Sequence, residues 1–336
     1  MPPSWLLALI LVVCALAVFL VPNKQARLLR KVLIDSDSAR LVGLLAAIFG
    51  FVVVVSTAYQ IIVDLEDRRE EREVRRAEAI ERAWQRLLVR APGNTGKGAA
   101  LTVLVNEHQG LQNLDLSCRA IGDWNSEFNK CESRAILAGV EVPEAEGQTD
   151  LFGLNLNDAV VIQSAIYDAL FIDVRMNGTR IANSVLVQVG FRGEITSPNI
   201  EATALLDTWF SELAPGSPGR ISRSNISGTV IPWLAQLDAA DLATNYFWAD
   251  WPPLHAYPSI SAPAPSTFFN DDILSRLLIC RPPKRADGSV VPHLDRTPRL
   301  PSFDCDRMTI ADARDAYPRA YARVAAAMSR EERDAQ

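Results

Sequence analysis

The side chains of this 336-residue sequence that could carry chemistry are three histidines, five cysteines, a Gly-Lys loop and an Asp pair. Their spacing argues against most of the reactions they suggest. His108, His255 and His293 stand far apart, and none lies at ligand spacing from a cysteine or another histidine, so the pattern of a zinc site is missing. The stretch APGNTGKG (91–98) invites a nucleotide-binding reading. Such a loop needs G-x-x-x-x-G-K-[ST] between a strand and a helix, with a hydroxyl to hold magnesium. Here Gly93 to Gly96 is too short, Gly98 replaces the hydroxyl, and helical sequence precedes it. Asp271-Asp272 reads as the acidic first turn of a short helix over NDDILSRLLI, where carboxylates face the positive end of the dipole. No nucleophile elbow appears. The expectation is a non-enzymatic chain with no catalytic residue, no cofactor and no metal.

The cysteines divide by position. Cys118 and Cys131 fall early in a repetitive region and read as buried free thiols. Cys280 and Cys305 flank a Pro-rich loop with little helical order. A bridge between them would staple a segment that has little core of its own, provided the compartment is oxidising.

Larger elements must place these residues, and the first are apolar. Ser4–Val21 carries no charge over 18 residues, and Leu41–Val63 none over 23. About 20 apolar residues cross a bilayer core, so both runs are expected to span the lipid. The first lacks the basic residues that precede the apolar part of a signal peptide, which favours its retention. Lys24, Arg27, Arg30 and Lys31 argue for a cytoplasmic loop between the runs. Five arginines just after the second run (Arg68, Arg69, Arg72, Arg75 and Arg76) nearly balance that argument. The expected location is a bacterial inner membrane, with a slight lean toward a periplasmic C-terminus.

DLEDRREEREVRRAEAIERAWQRLL follows, free of Gly and Pro, with acid–base neighbours three and four apart. The second apolar helix is expected to continue through it to about Leu88. Val74, Ala77, Ile80, Trp84 and Leu87 form its apolar stripe. The stripe suits docking on the next domain; a homo-oligomer through a coiled coil is the alternative. A turn and a short helix from about Gly98 to Glu107 come next.

From about Leu111 the large apolar residues return every five positions. The clearest block is Leu156, Val161, Ile166, Phe171, Met176, Ile181, Leu186 and Phe191. Two residues before each stands a small or compact one: Ala159, Ser164, Ala169, Val174, Thr179, Ser184 and Val189. Residues two apart on an extended chain share a side. Each unit therefore aims one small and one large side chain inward. An odd period would flip alternate units of a flat sheet, so each unit must turn a corner. The product is a coil stacked on itself, a solenoid. GEITSPN, APGSPG and IPWLAQ interrupt the rhythm and read as ejected loops, and the stretch between Asp123 and Asp150, which keeps the rhythm poorly, is expected to contain an insertion.

These units resemble the pentapeptide-repeat family over about Leu111 to Phe247, and the junction from Ala83 to Ser117 is similar to its membrane-anchored members. The resemblance implies a right-handed quadrilateral parallel β-helix with four units per coil, capped by a short helix near Leu101–Val105. Residues twenty apart would then stack: Leu156 under Met176, Val161 under Ile181, Ile166 under Leu186, and Phe171 under Phe191. The organisation expected is a membrane anchor with two transmembrane helices (1–63), a helical stalk (64–90), a turn and capping helix (91–110), the β-helix (111–250), and a Pro-rich covering segment with a C-terminal helix (251–336). TIADARDAYPRAYARVAAAMSREERDAQ should be helical, with Pro318 breaking or restarting the helix.

The same arithmetic reads the outside. Ala165, Tyr167, Val185 and Val187 would face outward on one side, and Leu170 and Ile172 on the next. Exposed apolar patches mark covered or binding surface. The C-terminal segment, through Tyr317, Tyr321 and Val324, is the expected cover; a docking surface for an unidentified protein partner is the alternative. Between Leu101 and Asp250 there are 19 acidic side chains against 8 basic ones. Direct nucleic-acid binding is not expected from such a surface, because phosphate contacts need basic residues. The functional expectation is a non-enzymatic scaffold or protein-interaction module anchored in the lipid bilayer. The alternative is a DNA-mimicking inhibitor of a topoisomerase, as in some members of the family it resembles.

Overall fold

The computed structural model describes residues 37–144, 148–211, 213–214, 217, 219–254, 271–293, 296 and 305–321. The apolar run Ser4–Val21, expected as the first of two spanning helices, lies outside the described residues, and among the described residues there is one membrane-length helix. That helix runs from Asp37 to Leu88 without a proline. From Ile48 onward it is long and apolar enough to cross a membrane. The chain divides into two compact units, residues 1–76 and 77–336. In the first, Arg75 pairs with Glu71 one helical turn away, the kind of local support that a solvated helix face uses.

The second unit begins with the last turns of this helix. Ala83 and Leu87 are buried, with Ile80 and Trp84 packed beside them. A helix C-terminus leaves carbonyls without partners, and here one side chain takes them up. The Lys97 ammonium donates to the carbonyl oxygens of Arg86 (3.2 Å), Leu87 (3.3 Å) and Val89. Lys97 is 0% exposed. The Gly-Lys loop is thus a helix cap. The next helix, Lys97–Asn106, buries Leu101, Leu104 and Val105 against the first coil.

The chain then winds into a parallel β-solenoid of about four turns. Val161 pairs with Ile181, Ile166 with Leu186 and Phe171 with Phe191, each twenty residues on. The Leu156 N–H donates to Arg175, beside Met176 (2.8 Å). All eight of these large side chains are buried in one apolar cluster. The corner falls two residues after each large one. Asp158, Gln163, Asp168, Asp173, Gly178, Asn183 and Gln188 all have φ between 46° and 61°, a left-handed geometry that Gly, Asn and Asp tolerate best.

The compact position often carries a hydroxyl, and the structure shows why it can be buried. Thr179 Oγ1 donates to the Leu156 carbonyl (2.7 Å), Thr208 Oγ1 to Leu186 (3.2 Å), and Thr229 Oγ1 to Leu205 (2.7 Å). Each of these three threonine hydroxyls finds a backbone partner in the adjacent coil, while Ser164 and Ser184 donate to the carbonyl two residues back, which removes the penalty of burying them unpaired.

Coil length varies. The step is 24 residues from Leu137 to Val161, 20 from Val161 to Ile181, 19 from Ile181 to Ile200, and 21 from Ile200 to Ile221. The short coil corrects the reading of GEITSPN as an ejected loop. Most of that segment lies in the strand Gly190–Thr196, which skips one residue of its neighbour between Arg192 and Gly193. Gly193 makes this feasible, because a Cβ there would sit 2.1 Å from the Val174 carbonyl oxygen. In the first coil the insertion is a hairpin, Asp123–Asn125 paired with Lys130–Ser133. It lets Asp115 bridge Asn155 forty residues away.

The far end is closed by later chain. The ladder containing Ala204–Leu206 passes through Asn225 to Tyr246–Trp248, and then to Leu278–Cys280. The helix expected over NDDILSRLLI stops at Arg276, because the next residues pair as a strand instead. Helix Ile310–Ala316 packs Ala313 into the same end, and helix resumes at Pro318.

Candidate interaction surface

Outward positions follow directly from the inward ones. Ala165, Tyr167, Val185 and Val187 lie on two adjacent strands of one sheet. Their upper part is covered. Val187, Ala204, Leu206 and Trp251 form a second apolar cluster, separate from the bore, with Tyr167, Val185 and Trp248 against it. The cover is therefore Trp248 and Trp251, just after the last coil, rather than the C-terminal tyrosines. Tyr317 and Tyr321 follow the end-cap helix and pack against the bore cluster. Val324 lies outside the described residues.

Leu170 and Ile172 belong to the neighbouring sheet. Leu170 sits between Asp150 and Gly190, and Ile172 between Phe152 and Arg192. Both are half-buried, and Phe152 is 39% exposed. Above them the Trp209 indole lies on Gly190, where a Cβ would approach it to 2.3 Å. Phe152, Leu170 and Ile172 thus form a short apolar strip flanked by an indole.

The third sheet face is charged, with both signs present. Glu201 accepts from Arg180 (2.9 Å) and pairs with Arg223, while Asp241 takes Arg220 (3.0 Å). The acidic excess is therefore interrupted by arginines on this face.

A buried polar clasp holds the cover in place. Asp250 Oδ1 accepts from Arg296 Nη1 (2.8 Å), its Oδ2 accepts from Arg296 Nη2, and Oδ2 also meets His293 Nε2 (3.1 Å). Burial pushes the Asp250 carboxyl up, but hydrogen bonds from His293 and Arg296 outweigh this and hold it at about 2. Arg296 is itself buried, and its guanidinium lies 5.9 Å from the Trp248 ring centre. His293 stacks on Trp251 with centroids 4.4 Å apart. Nothing in the local sequence pattern marks this cluster, because its members lie 43 and 46 residues apart.

Cysteines complete the geometry. Cys280 and Cys305 form a disulfide with Cα atoms 5.5 Å apart. Cys118 and Cys131, expected as free thiols, also form one, at 6.0 Å. The inserted hairpin explains the difference: it folds Lys130–Ser133 back beside Cys118, within the Cα range a bridge requires. Among the described residues no group of three or more His, Cys, Asp or Glu side chains could hold a metal ion.

No protein-family model matches the chain, and no curated protein is similar to it.

Proposed function

We propose that this chain is a membrane-anchored, non-enzymatic scaffold. Its solenoid lies on the oxidising side of a bacterial inner membrane and offers Phe152, Leu170 and Ile172 to a protein partner. The observation that carries the location is the pairing of all four cysteines outside the first apolar run, in two bridges within the solenoid unit. Such bridges persist in oxidising compartments and are rare in the cytosol. Scaffolding is supported by a coil with both ends covered and an apolar strip left half-open on its side. The finer fold reading goes with this proposal: a right-handed, four-sided pentapeptide-repeat helix, joined to a second transmembrane helix over Ser4–Val21. Corners every five residues and coils of about twenty support it.

The topoisomerase-mimic alternative has less support. Its target lies in the cytoplasm, where these bridges would be reduced, and Glu201 and Asp241 are already paired with arginines.

Two experiments test the proposal. Alkaline phosphatase and a fluorescent protein are fused in turn after Gln336. Phosphatase activity without fluorescence is expected; the reverse result would end the extracytoplasmic reading. Photo-crosslinking residues placed at Leu170 and Ile172 in intact cells should capture a protein that Arg220, on the charged face, does not. Equal capture at all three positions would remove the strip from the proposal.

A further inference from the structure

A cleft of about 420 Å³ opens beside the clasp, lined by Asp250, His293, Tyr317 and Arg319 among others. That volume falls within the range of small-molecule sites, about 300–1,000 Å³. Holding the cover in place accounts for Asp250 and Arg296, but not for what stands in front of them.

The Asp250 carboxylate is fully engaged. Both oxygens accept from Arg296, and Oδ2 also accepts the Nε2–H of His293. This bond sets the imidazole tautomer, since the nitrogen facing a carboxylate carries the proton. Nδ1 is left for another partner, and it has none among the described residues. Stacking on Trp251 fixes the ring plane as well. The imidazole is thus held from one edge and one face at the wall of a cleft.

The other polar groups there are donors. Arg319 is exposed, and its guanidinium has no partner among the described residues. The Tyr317 hydroxyl likewise has none, and burial pushes its pKa up, which keeps it a neutral donor. Arg296 offsets the charge of Asp250, so Arg319 leaves the cleft net positive. Two nearby arginines are already paired, Arg281 with Asp306 and Arg314 with Asp271.

We propose that this cleft binds a small molecule through an oxyanion group, a carboxylate or a phosphate. Arg319 supplies charge and a planar fork of donors, and Tyr317 supplies O–H. A guanidinium matches either oxyanion geometry in bidentate fashion. The inference is independent of the scaffold role.

The test is calorimetric titration of the full chain in detergent with inorganic phosphate and, separately, with succinate, at neutral pH. Millimolar or tighter binding of at least one is expected, and the tighter of the two identifies the ligand class. Arg319→Ala should weaken it about tenfold, the loss of a hydrogen bond to a charged group. Because Arg319 is exposed, that variant should keep the parent's thermal midpoint. Tyr317→Phe should weaken binding several-fold. Failure of both anions to bind, or equal binding by Arg319→Ala and Tyr317→Phe, would overturn the proposal.

Discussion

Phe191 sits at the centre of the bore, 2% exposed. Its ring stacks on Phe171 at 4.8 Å and on Phe210 at 5.1 Å, with interplanar angles of 16° and 7°. Phe191→Ala deletes the middle of this column. Truncating a buried Phe costs about 3–5 kcal/mol, part transfer energy and part cavity. The upper end applies here, because backbone pairing to the coils on either side holds the walls apart and prevents collapse. Within that total, each stacked pair contributes about 0.5–1.5 kcal/mol beyond area burial. Phe191→Leu, which keeps most of the volume and loses the stacking, should cost about 1–3 kcal/mol on the same grounds. A double-mutant cycle between Phe171→Leu and Phe191→Leu isolates one pair. Its coupling should be about 0.5–1.5 kcal/mol. The assay is urea unfolding of the full chain in detergent, followed by far-ultraviolet circular dichroism. A Phe191→Ala cost below about 1.5 kcal/mol would refute the reasoning, since the cavity would then have collapsed. A coupling of zero would mean that the rings touch without interacting.

The remaining predictions concern the clasps. Cys305→Ser opens a bridge spanning 25 residues, worth about 3.5 kcal/mol by loop entropy, and Cys131→Ser one spanning 13, about 3 kcal/mol; reductant should lower the urea midpoint of the parent and have little effect on the double variant. Asp250→Asn leaves the Arg296 charge buried with half a partner, at a cost of about 3–5 kcal/mol. Because Asp250 is held at about 2 rather than 3.8, its contribution is complete above pH 3.8 and is lost as pH falls toward 2. That contribution is about 2 kcal/mol, and the acid-unfolding profile of Asp250→Asn should be flatter by this amount. Lys97→Met frees three carbonyls at the end of the long helix, and amide exchange in its last turn should rise at least tenfold. Gly193→Val forces the tightened coil open, with a stability loss of about 1–3 kcal/mol in the same urea assay.

The solenoid was legible because its determinant is local. A large residue two positions before each corner is a signal that short windows carry. Register was legible for the same reason wherever the period held, from Leu156 to Phe191. The one-residue skip at Gly193 was not, since a glycine announces a close approach without naming the backbone it approaches. Helix Asp271–Arg276 stopped short of the sequence expectation because Leu278–Cys280 found a strand partner more than thirty residues earlier, in Tyr246–Trp248. Pairing across that distance overrides local propensity. The apolar side strip could be placed from the repeat, but its cover could not. Trp248 was read as the end of the β-helix and Trp251 as the start of a Pro-rich segment, neither of them as a cover. Asp250, His293 and Arg296 were missed altogether as a group, since no spacing rule links them. The Cys118–Cys131 bridge depended on a hairpin whose return path the five-residue rhythm does not describe.

The unequal coils have a consequence for descent. A coil of 19 residues followed by one of 21 leaves the bore in phase, so a deletion at one corner is compensated by an insertion a turn later. Selection acting on such a chain sees the stack and not the spacing. Lineages are then free to drift in repeat length, and to graft excursions such as the hairpin at 123–133, while each inward column stays intact. Kinship among chains of this kind would fade from sequence long before it faded from shape, and the columns of Phe171, Phe191 and Phe210 are where a shared ancestor should be sought.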